Sequence, residues 1–199
     1  MTSVQMWEKR YSESEYAYGK LPNDFLRENY RQIHDSRVLC LGEGEGRNAV
    51  FLAQNGYQVT AVDYSLQGIE KTKRLAAESG VTVECIHQDI RKFHFEPSYW
   101  QGIVSIYFHI PKQDRIRIHE KCVRSLIKGG IFLMESYSPN QRKYATGGPK
   151  DPDLLADIED LKNEFSSLQL FIAREIERDV FEGRYHNGRS AVVQILACK

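Results

Sequence analysis

The sequence has no surplus of charge of either sign: Lys and Arg number 27, Asp and Glu number 27, and the formal net charge is zero. Nucleic-acid-binding domains draw most of their affinity from phosphate contacts and so carry a basic surplus or stripe. None is visible here, and no nucleic-acid partner is expected. Cysteine is scarce. Cys40, Cys85, Cys122 and Cys198 sit in apolar runs at wide, irregular spacing, with no CxxC and no metal-like pairing with histidine. They read as buried, reduced thiols, and no metal site is expected. No stretch approaches the ~20 apolar residues of a membrane span. The opening MTSVQMWEKRYSESEYAYGK is polar and aromatic, unlike the apolar centre of a signal peptide. The expectation is a cytoplasmic protein with no membrane partner. Repeats and low-complexity tracts are also missing. At 199 residues, the chain has room for one well-packed α/β domain and too little for two typical ones.

What the chain does have is an alternation of short apolar runs with amphipathic ones. Val38–Leu41 is an apolar run leading into a glycine cluster. Arg47–Asn55 reads as a helix stopped by Gly56. Gln58–Val62 is the next strand and ends at Asp63. Ser65 caps a helix with Leu66, Ile69, Lys73 and Ala76 on one face, closed by Gly80. Thr82–Ile86 alternates as a strand, and Ile103–Phe108 is a continuous apolar run of the buried parallel kind. Pro111 opens a long helix with Ile116, Val123, Leu126 and Ile127 inward. Gly129-Gly130 is its expected stop, and Ile131–Met134 the fifth strand. This rhythm predicts a mostly parallel sheet with helices on both faces, and ligands outside the carboxyl ends of its strands. The tail differs. A helix with Leu154, Ile158, Leu161 and Phe165 on one face precedes two strand-like stretches, Leu168–Phe181 and Ser190–Ala197. Asn187-Gly188 between them is a hairpin signal, so the sheet should finish antiparallel. The Glu159–Lys162 charge run reads as a solvated helix face.

The glycine cluster carries the chemistry. Gly42-Glu43-Gly44-Glu45-Gly46 ends a strand and opens a helix, and glycine lets backbone approach a ligand with no Cβ in the way. Two ligands compete for such a loop. Gly44 to Ala49 also fits the G-x-G-x-x-A dinucleotide pattern, which would make the protein a nicotinamide-dependent oxidoreductase. A dinucleotide, however, sets a pyrophosphate against Glu43 and Glu45. Two like charges ~4 Å apart cost about 4 kcal/mol at an effective dielectric near 20. S-adenosylmethionine brings a sulfonium and an ammonium, which carboxylates favour. Asp63 ends the second strand, where its carboxylate can accept both ribose hydroxyls of either ligand. Asp89, ending the third, can accept from an adenine amino group while the Ile90 amide donates to the ring; its plainer role is a helix cap. Arg47, Asn48 and Tyr64, beside the loop and beside Asp63, complete the candidate cofactor set.

The order of motifs VLCLGEGEGRNA, TAVDYS, HQDI, GIVSIYFHIP and LIKGGIFLMESY resembles the class I S-adenosylmethionine-dependent methyltransferases from about residue 36 to 137. The opening Trp7, Arg10, Tyr11, Tyr16, Tyr18, Gly19, Pro22, Asn23 and Phe25 extends the likeness to small bacterial tellurite-resistance-type methyltransferases. So do Gly147–Asp151 and Glu182–Gly188. The resemblance implies one α/β Rossmann-like domain over 1–199 with sheet order 3-2-1-4-5-7-6, the last strand antiparallel. It divides into an N-terminal lid segment (1–35), a cofactor core (36–137) and a substrate-side loop, helix and hairpin (138–199). It implies that Gly42, Gly44 and Gly46 hold the cofactor's methionine part, Asp63 the ribose, and Asp89 with Ile90 the adenine. S-adenosylhomocysteine would be the product. One departure stands out: the family's acidic residue at the end of the first strand is Cys40 here. Glu43 is the candidate replacement against the cofactor's amino group.

On the acceptor side, His109 lies at the carboxyl end of the fourth strand as a candidate base or substrate ligand. Tyr107 is two residues back. Tyr11 and Tyr18 in the aromatic N-terminal segment, and Tyr137, Arg142, Tyr144 and His186 in loops at the expected rim, are the other substrate-side candidates. A soft thiolate or chalcogenide needs no deprotonation aid at neutral pH, whereas an oxygen or amine acceptor does. The resemblance favours a small thiol or chalcogen acceptor. A non-catalytic cofactor-binding sensor or interaction protein is the remaining alternative.

Overall fold

The computed structural model describes residues 3–34 and 37–199; the expected boundary at residues 35 and 36 lies outside them. Seven strands form one sheet: β1 (Arg37–Leu41), β2 (Gln58–Asp63), β3 (Glu84–His87), β4 (Trp100–Ile106), β5 (Leu126–Tyr137), β6 (Gln169–Glu182) and β7 (His186–Cys198). Their order is β3-β2-β1-β4-β5-β7-β6. The pairs β1–β2, β1–β4, β2–β3 and β4–β5 are parallel, and β7 runs antiparallel to both β5 and β6. The helices are α1 (Ser3–Tyr11), α2 (Asp24–Asn29), α3 (Arg47–Gln54), α4 (Leu66–Glu78), α5 (Lys112–Ser125) and α6 (Ile158–Glu164).

Successive side chains of a strand face opposite ways, so a central strand covered on both faces must be apolar throughout. β1 shows this. Leu39 and Leu41 enter one core with Ile103, Phe132, Ile118 of α5 and Phe165 after α6. Val38 and Cys40 enter the other with Val104, Leu133, Leu52 of α3, and Phe25 and Leu26 of α2. The Cys40 thiol is fully buried, and burial pushes it well above its usual range.

Several elements differ from the periodicity reading. α4 buries Ile69, Thr72, Leu75 and Ala76, while Leu66 and Lys73 face solvent. α5 buries Arg115, Ile118, His119 and Cys122, leaving Ile116 and Val123 partly exposed. Leu126, Ile127 and Gly129-Gly130 belong to β5 and not to the end of α5. The expected tail helix is two pieces, a 3-10 turn at Pro152–Leu154 and α6. The hairpin turns at Gly183-Arg184-Tyr185, with Gly183 at φ +69, and Asn187 and Gly188 lie inside β7 opposite Phe181 and Val180. Gly183 sets the turn because a Cβ there would lie 2.5 Å from the Tyr18 backbone.

Candidate active site

The carboxyl ends of β1, β2 and β4 meet at the glycine loop. Gly42, Gly44 and Gly46 all have positive φ, at 56, 66 and 92°. A Cβ on Gly46 would lie 2.8 Å from the Thr72 backbone, and one on Gly44 would lie 2.6 Å from the Tyr11 hydroxyl. The loop is therefore bare backbone by necessity. Asp63, last in β2, braces it: one carboxylate oxygen accepts from Gly44 N at 2.8 Å, the other from Ser65 N at 2.7 Å. Burial pushes the Asp63 carboxyl up to about 6 even against those two amides.

Glu43 caps α3. Its Oε1 accepts from the Asn48 and Ala49 amides at 2.9 and 2.8 Å. Burial raises its carboxyl to about 7, although Ala49, Arg47 and Asn48 pull the other way. Glu45 is different from what the sequence suggested. It is buried against Lys71 Nζ at 2.7 Å and accepts from Tyr18 N at 3.4 Å, so its charge is matched within the protein. The electrostatic case against a pyrophosphate thus rests on Glu43 alone.

The N-terminal segment lies on this loop. Trp7 stacks on Tyr11 with ring centres 5.4 Å apart, and Glu8 Oε1 accepts from Leu66 N at the start of α4. Trp7, Tyr11 and Phe108 narrow the space over the glycines to two small chambers of about 40 and 30 Å³. Ligand sites of cofactor size need about 300 Å³ or more. The bare glycine cradle and the Asp63 and Glu43 carboxylates suit S-adenosylmethionine, and admitting it requires the three aromatic side chains to move.

The larger chamber is the acceptor-side candidate. Arg47, Tyr107, His109 and His186 line it together with Tyr11 and Tyr18. Tyr107 is a non-glycine residue at φ +51, a strained conformation that surrounding structure must hold. Its hydroxyl donates to Glu135 at 2.9 Å, and its ring packs on Tyr137 and His186 at 4.7 and 4.6 Å. Glu135, fully buried in β5, also accepts from Arg178 at 2.7 Å and Gln194 at 2.6 Å. Arg178 bonds Glu182 at 3.3 Å, and Glu182 pairs with Arg47 Nη2 at 2.6 Å. Asn23 ties the cluster together: its Nδ2 donates to Glu135 and Glu182 at 2.7 and 2.8 Å. Burial pushes the Glu182 carboxyl up, but Arg47 and His186 outweigh it and hold it down at about 2. His109 stacks on Tyr137 at 5.8 Å, and burial, with His186 nearby, lowers its ring to about 3.

The remaining candidates divide. Tyr64 lines the smaller chamber beside Asp63. Asn48 lines the larger one and accepts from Asn23 N at 2.9 Å. Asp89 and Ile90 lie at the end of β3 but line neither chamber. Asp89 is gripped by Arg91 at 2.6 Å, which holds its carboxyl below the usual range, and it caps the following 3-10 turn. Tyr137 and His186 are not rim-loop residues: they end β5 and begin β7, and both are buried. Arg142 and Tyr144 do not reach either chamber. Arg142 is exposed, and Tyr144 bonds Glu177 on the outer strand. Sequence reasoning missed Glu135, Arg178 and Glu182 as site residues, and the folded-back Phe108. Glu135 alone left a signal, an acid directly after the apolar run Ile131–Met134; Arg178 and Glu182 lie among the other charged residues of β6. Among the described residues no cluster of three potential metal ligands occurs, and no helix is long and apolar enough to cross a membrane.

This is the fold of the class I S-adenosylmethionine-dependent methyltransferases, and residues 38–130 match the sequence family described as a methyltransferase domain. The family and fold imply S-adenosylmethionine as the cofactor. The chain is 39% identical over 59 residues to the tRNA 5-carboxymethoxyuridine methyltransferase of Escherichia coli strain K12. That match covers 27% of this chain and 23% of the relative, so the chain spans about a quarter of that protein's length. Two solved structures share the fold. One describes the conversion of a disulfide bond into a thioacetal group during echinomycin biosynthesis (TM-score 0.77, 15% identity, covering 100% of this chain and 92% of that one). The other is TehB from Haemophilus influenzae (TM-score 0.74, 17% identity, covering 98% and 66%).

Proposed function

We propose that the protein transfers the methyl group of S-adenosylmethionine to a small-molecule nucleophile, with thiols and chalcogen compounds the favoured acceptors. The observation that carries this reading is the bare glycine cradle with the Asp63 and Glu43 carboxylates, opening onto a chamber lined by Arg47, Tyr107, His109 and His186. When bound, the cofactor supplies an electrophilic methyl on a sulfonium. Asp63 is positioned for the ribose hydroxyls and Glu43 for the amino group, while Tyr64 lines the wall beside Asp63. The N-terminal segment acts as a lid whose Trp7 and Tyr11 exclude water once the cofactor is in place. Orientation in a closed site supplies most of the rate for such a displacement.

The state of His109 favours a soft acceptor. A base working near pH 7 needs a matching pKa, and the buried His109 ring sits at about 3, neutral over the physiological range. A thiol ionises near 8.5 without help. His109 is then a hydrogen-bonding ligand of the acceptor. The solved relative concerned with a disulfide-to-thioacetal conversion supports sulfur chemistry in this fold. The relative that acts on tRNA matches only a short stretch, and the zero net charge argues for a small acceptor here.

A turnover screen with methyl-labelled S-adenosylmethionine over thiols, chalcogen oxyanions, amines and phenols tests the reading. Methylation of thiols or chalcogen compounds is expected, with NAD failing to compete. His109→Ala should lose about tenfold in kcat/KM from positioning alone. The rate limb should lie near the thiol's value of about 8.5 and not near 6.5. A limb near 6.5 that vanishes in the variant would restore His109 as a base, and labelling confined to amines or phenols would remove the thiol reading.

A further inference from the structure

Six buried side-chain polar atoms have no hydrogen-bond partner among the described residues: Arg47 Nη1, both ring nitrogens of His109, His186 Nδ1, the Tyr137 hydroxyl and Trp100 Nε1. All but the last gather in one place. Arg47, His109 and His186 line the larger chamber. The Tyr137 ring stacks on His109 and meets the edge of His186 at 5.3 Å. His186 Nδ1 is 3.8 Å from Glu182, beyond hydrogen-bonding distance. A buried donor left unsatisfied carries its full desolvation penalty, and native proteins keep few of them. His186 faces Glu182, and His109 and Tyr137 lie near Leu154 and Ser190. Arg47 Nη1 has no such neighbour and points to a ligand that satisfies it beside the His109 ring.

The chemistry of that ligand follows from the donors. A guanidinium has no acceptor capacity, so Arg47 Nη1 requires an oxygen or nitrogen lone pair. Its Nη2 already matches Glu182 in a charge-assisted bond, and the planar fork geometry suits a second carboxylate. Arg10 adds positive charge at the rim: it donates to the Tyr18 hydroxyl at 2.6 Å, lies over the Tyr185 ring, and makes no ion pair among the described residues. The chamber's volume of about 40 Å³ is set by Trp7 and Tyr11, which must move to admit the cofactor, so the donors and not the volume identify the ligand. An oxygen pair committed to a guanidinium is a poor nucleophile, so the atom that receives the methyl group must be another.

Building on the methyl-transfer reading, we propose that the acceptor is a small carboxylic acid whose carboxylate is anchored by Arg47 Nη1 and His109, leaving a thiol on the same molecule to be methylated. In the displacement the thiolate sulfur bonds to the methyl carbon as the cofactor's sulfur–methyl bond breaks. The bonding pair stays with the cofactor sulfur, and the thiol proton goes to solvent.

Calorimetric titration of the S-adenosylhomocysteine complex with mercaptoacetate and with uncharged 2-mercaptoethanol tests the anchor without turnover. Mercaptoacetate should bind at least tenfold more tightly. That preference should disappear in the double variant Arg47→Gln, Glu182→Gln, which removes both charges and strands neither. If the double variant does not fold, Arg47→Lys, which keeps the charge but loses the fork, should reduce the preference several-fold. Equal affinity for the two thiols, binding of neither, or a preference that survives these changes overturns the proposal. So does a variant that weakens S-adenosylhomocysteine tenfold but spares methylthioadenosine, because Arg47 would then hold the cofactor's own carboxylate. Mercaptoacetate that binds with the expected preference but is never methylated counts against thiol methylation and leaves the anchor standing.

Discussion

Glu43 joins two functions in one side chain. It satisfies the first amides of α3, as a capping residue must, and it is the acid nearest the position that Cys40 vacates in the family pattern. A carboxyl at about 7 is only partly ionised at neutral pH. An ammonium brought against it favours the ionised form. Affinity for a ligand carrying that ammonium should therefore rise with pH as Glu43 ionises, by up to about tenfold between pH 6 and 8. Calorimetry of S-adenosylhomocysteine against methylthioadenosine, which lacks the amino group, measures this. Glu43→Gln keeps an oxygen for the Asn48 and Ala49 amides and should flatten the dependence. A pH effect equal for both ligands would show that Glu43 does not meet the ammonium.

At the scale of the element, α1 is the piece whose role depends on where it lands. Its amphipathic sequence is compatible with packing on the sheet's flank. The fold instead lays Trp7 and Tyr11 over the glycine loop and uses Glu8 to satisfy the Leu66 amide at the start of α4. A cofactor that displaces this layer must change the surroundings of Trp7. S-adenosylhomocysteine should therefore alter the tryptophan fluorescence, and Trp7→Phe should abolish the change, because the other tryptophan, Trp100, is buried away from both chambers. An identical response in Trp7→Phe would mean that α1 does not move. The β6–β7 hairpin makes a parallel point. Asn187-Gly188 is the stronger local turn signal, yet the turn falls at Gly183, where Tyr18 leaves no room for a side chain. A non-local contact overrides local preference.

For the whole molecule, the buried titratable groups set opposing trends in stability. His109, His119 and His186 are all lowered by burial, so the fold resists their protonation. The unfolded chain takes up protons on them below about 6.5, so the stability that they contribute is lost as pH falls. Asp63 and Glu43 act oppositely. Their folded values, about 6 and 7, exceed the unfolded ones, so stability declines as pH rises toward 7. Without cofactor, the histidines raise stability as pH rises from 5, while Asp63 and Glu43 hold the rise back, Glu43 by roughly 1 kcal/mol between pH 6.5 and 8. Urea unfolding near pH 5, 6.5 and 8 measures it. Glu43→Gln should gain roughly 1 kcal/mol of stability over the parent between pH 6.5 and 8, and parallel pH profiles for the two proteins would contradict the account.

Local rules made much of this molecule legible before folding. Continuous apolar strands, glycines at strand-to-helix turns and Ser65 as a cap each follow from a residue's own geometry and immediate neighbours, and β1, β2, α3 and α4 appear where they were expected. The geometry of the glycine loop beside Glu43 and Asp63 was legible for the same reason, since those residues lie beside it in the chain or end a strand facing it. The glycine loop's charge was not: Lys71 on α4, distant in sequence, neutralises Glu45. Nor could periodicity gather Asn23, Arg47, Glu135, Arg178 and Glu182, which come from four separate segments and meet only when the sheet closes. Each of them alone reads as an ordinary polar residue. Only burial together forces charges to find partners, and it is this tertiary pairing that ties one arm of the Arg47 guanidinium to Glu182 and leaves the other without a hydrogen-bond partner among the described residues.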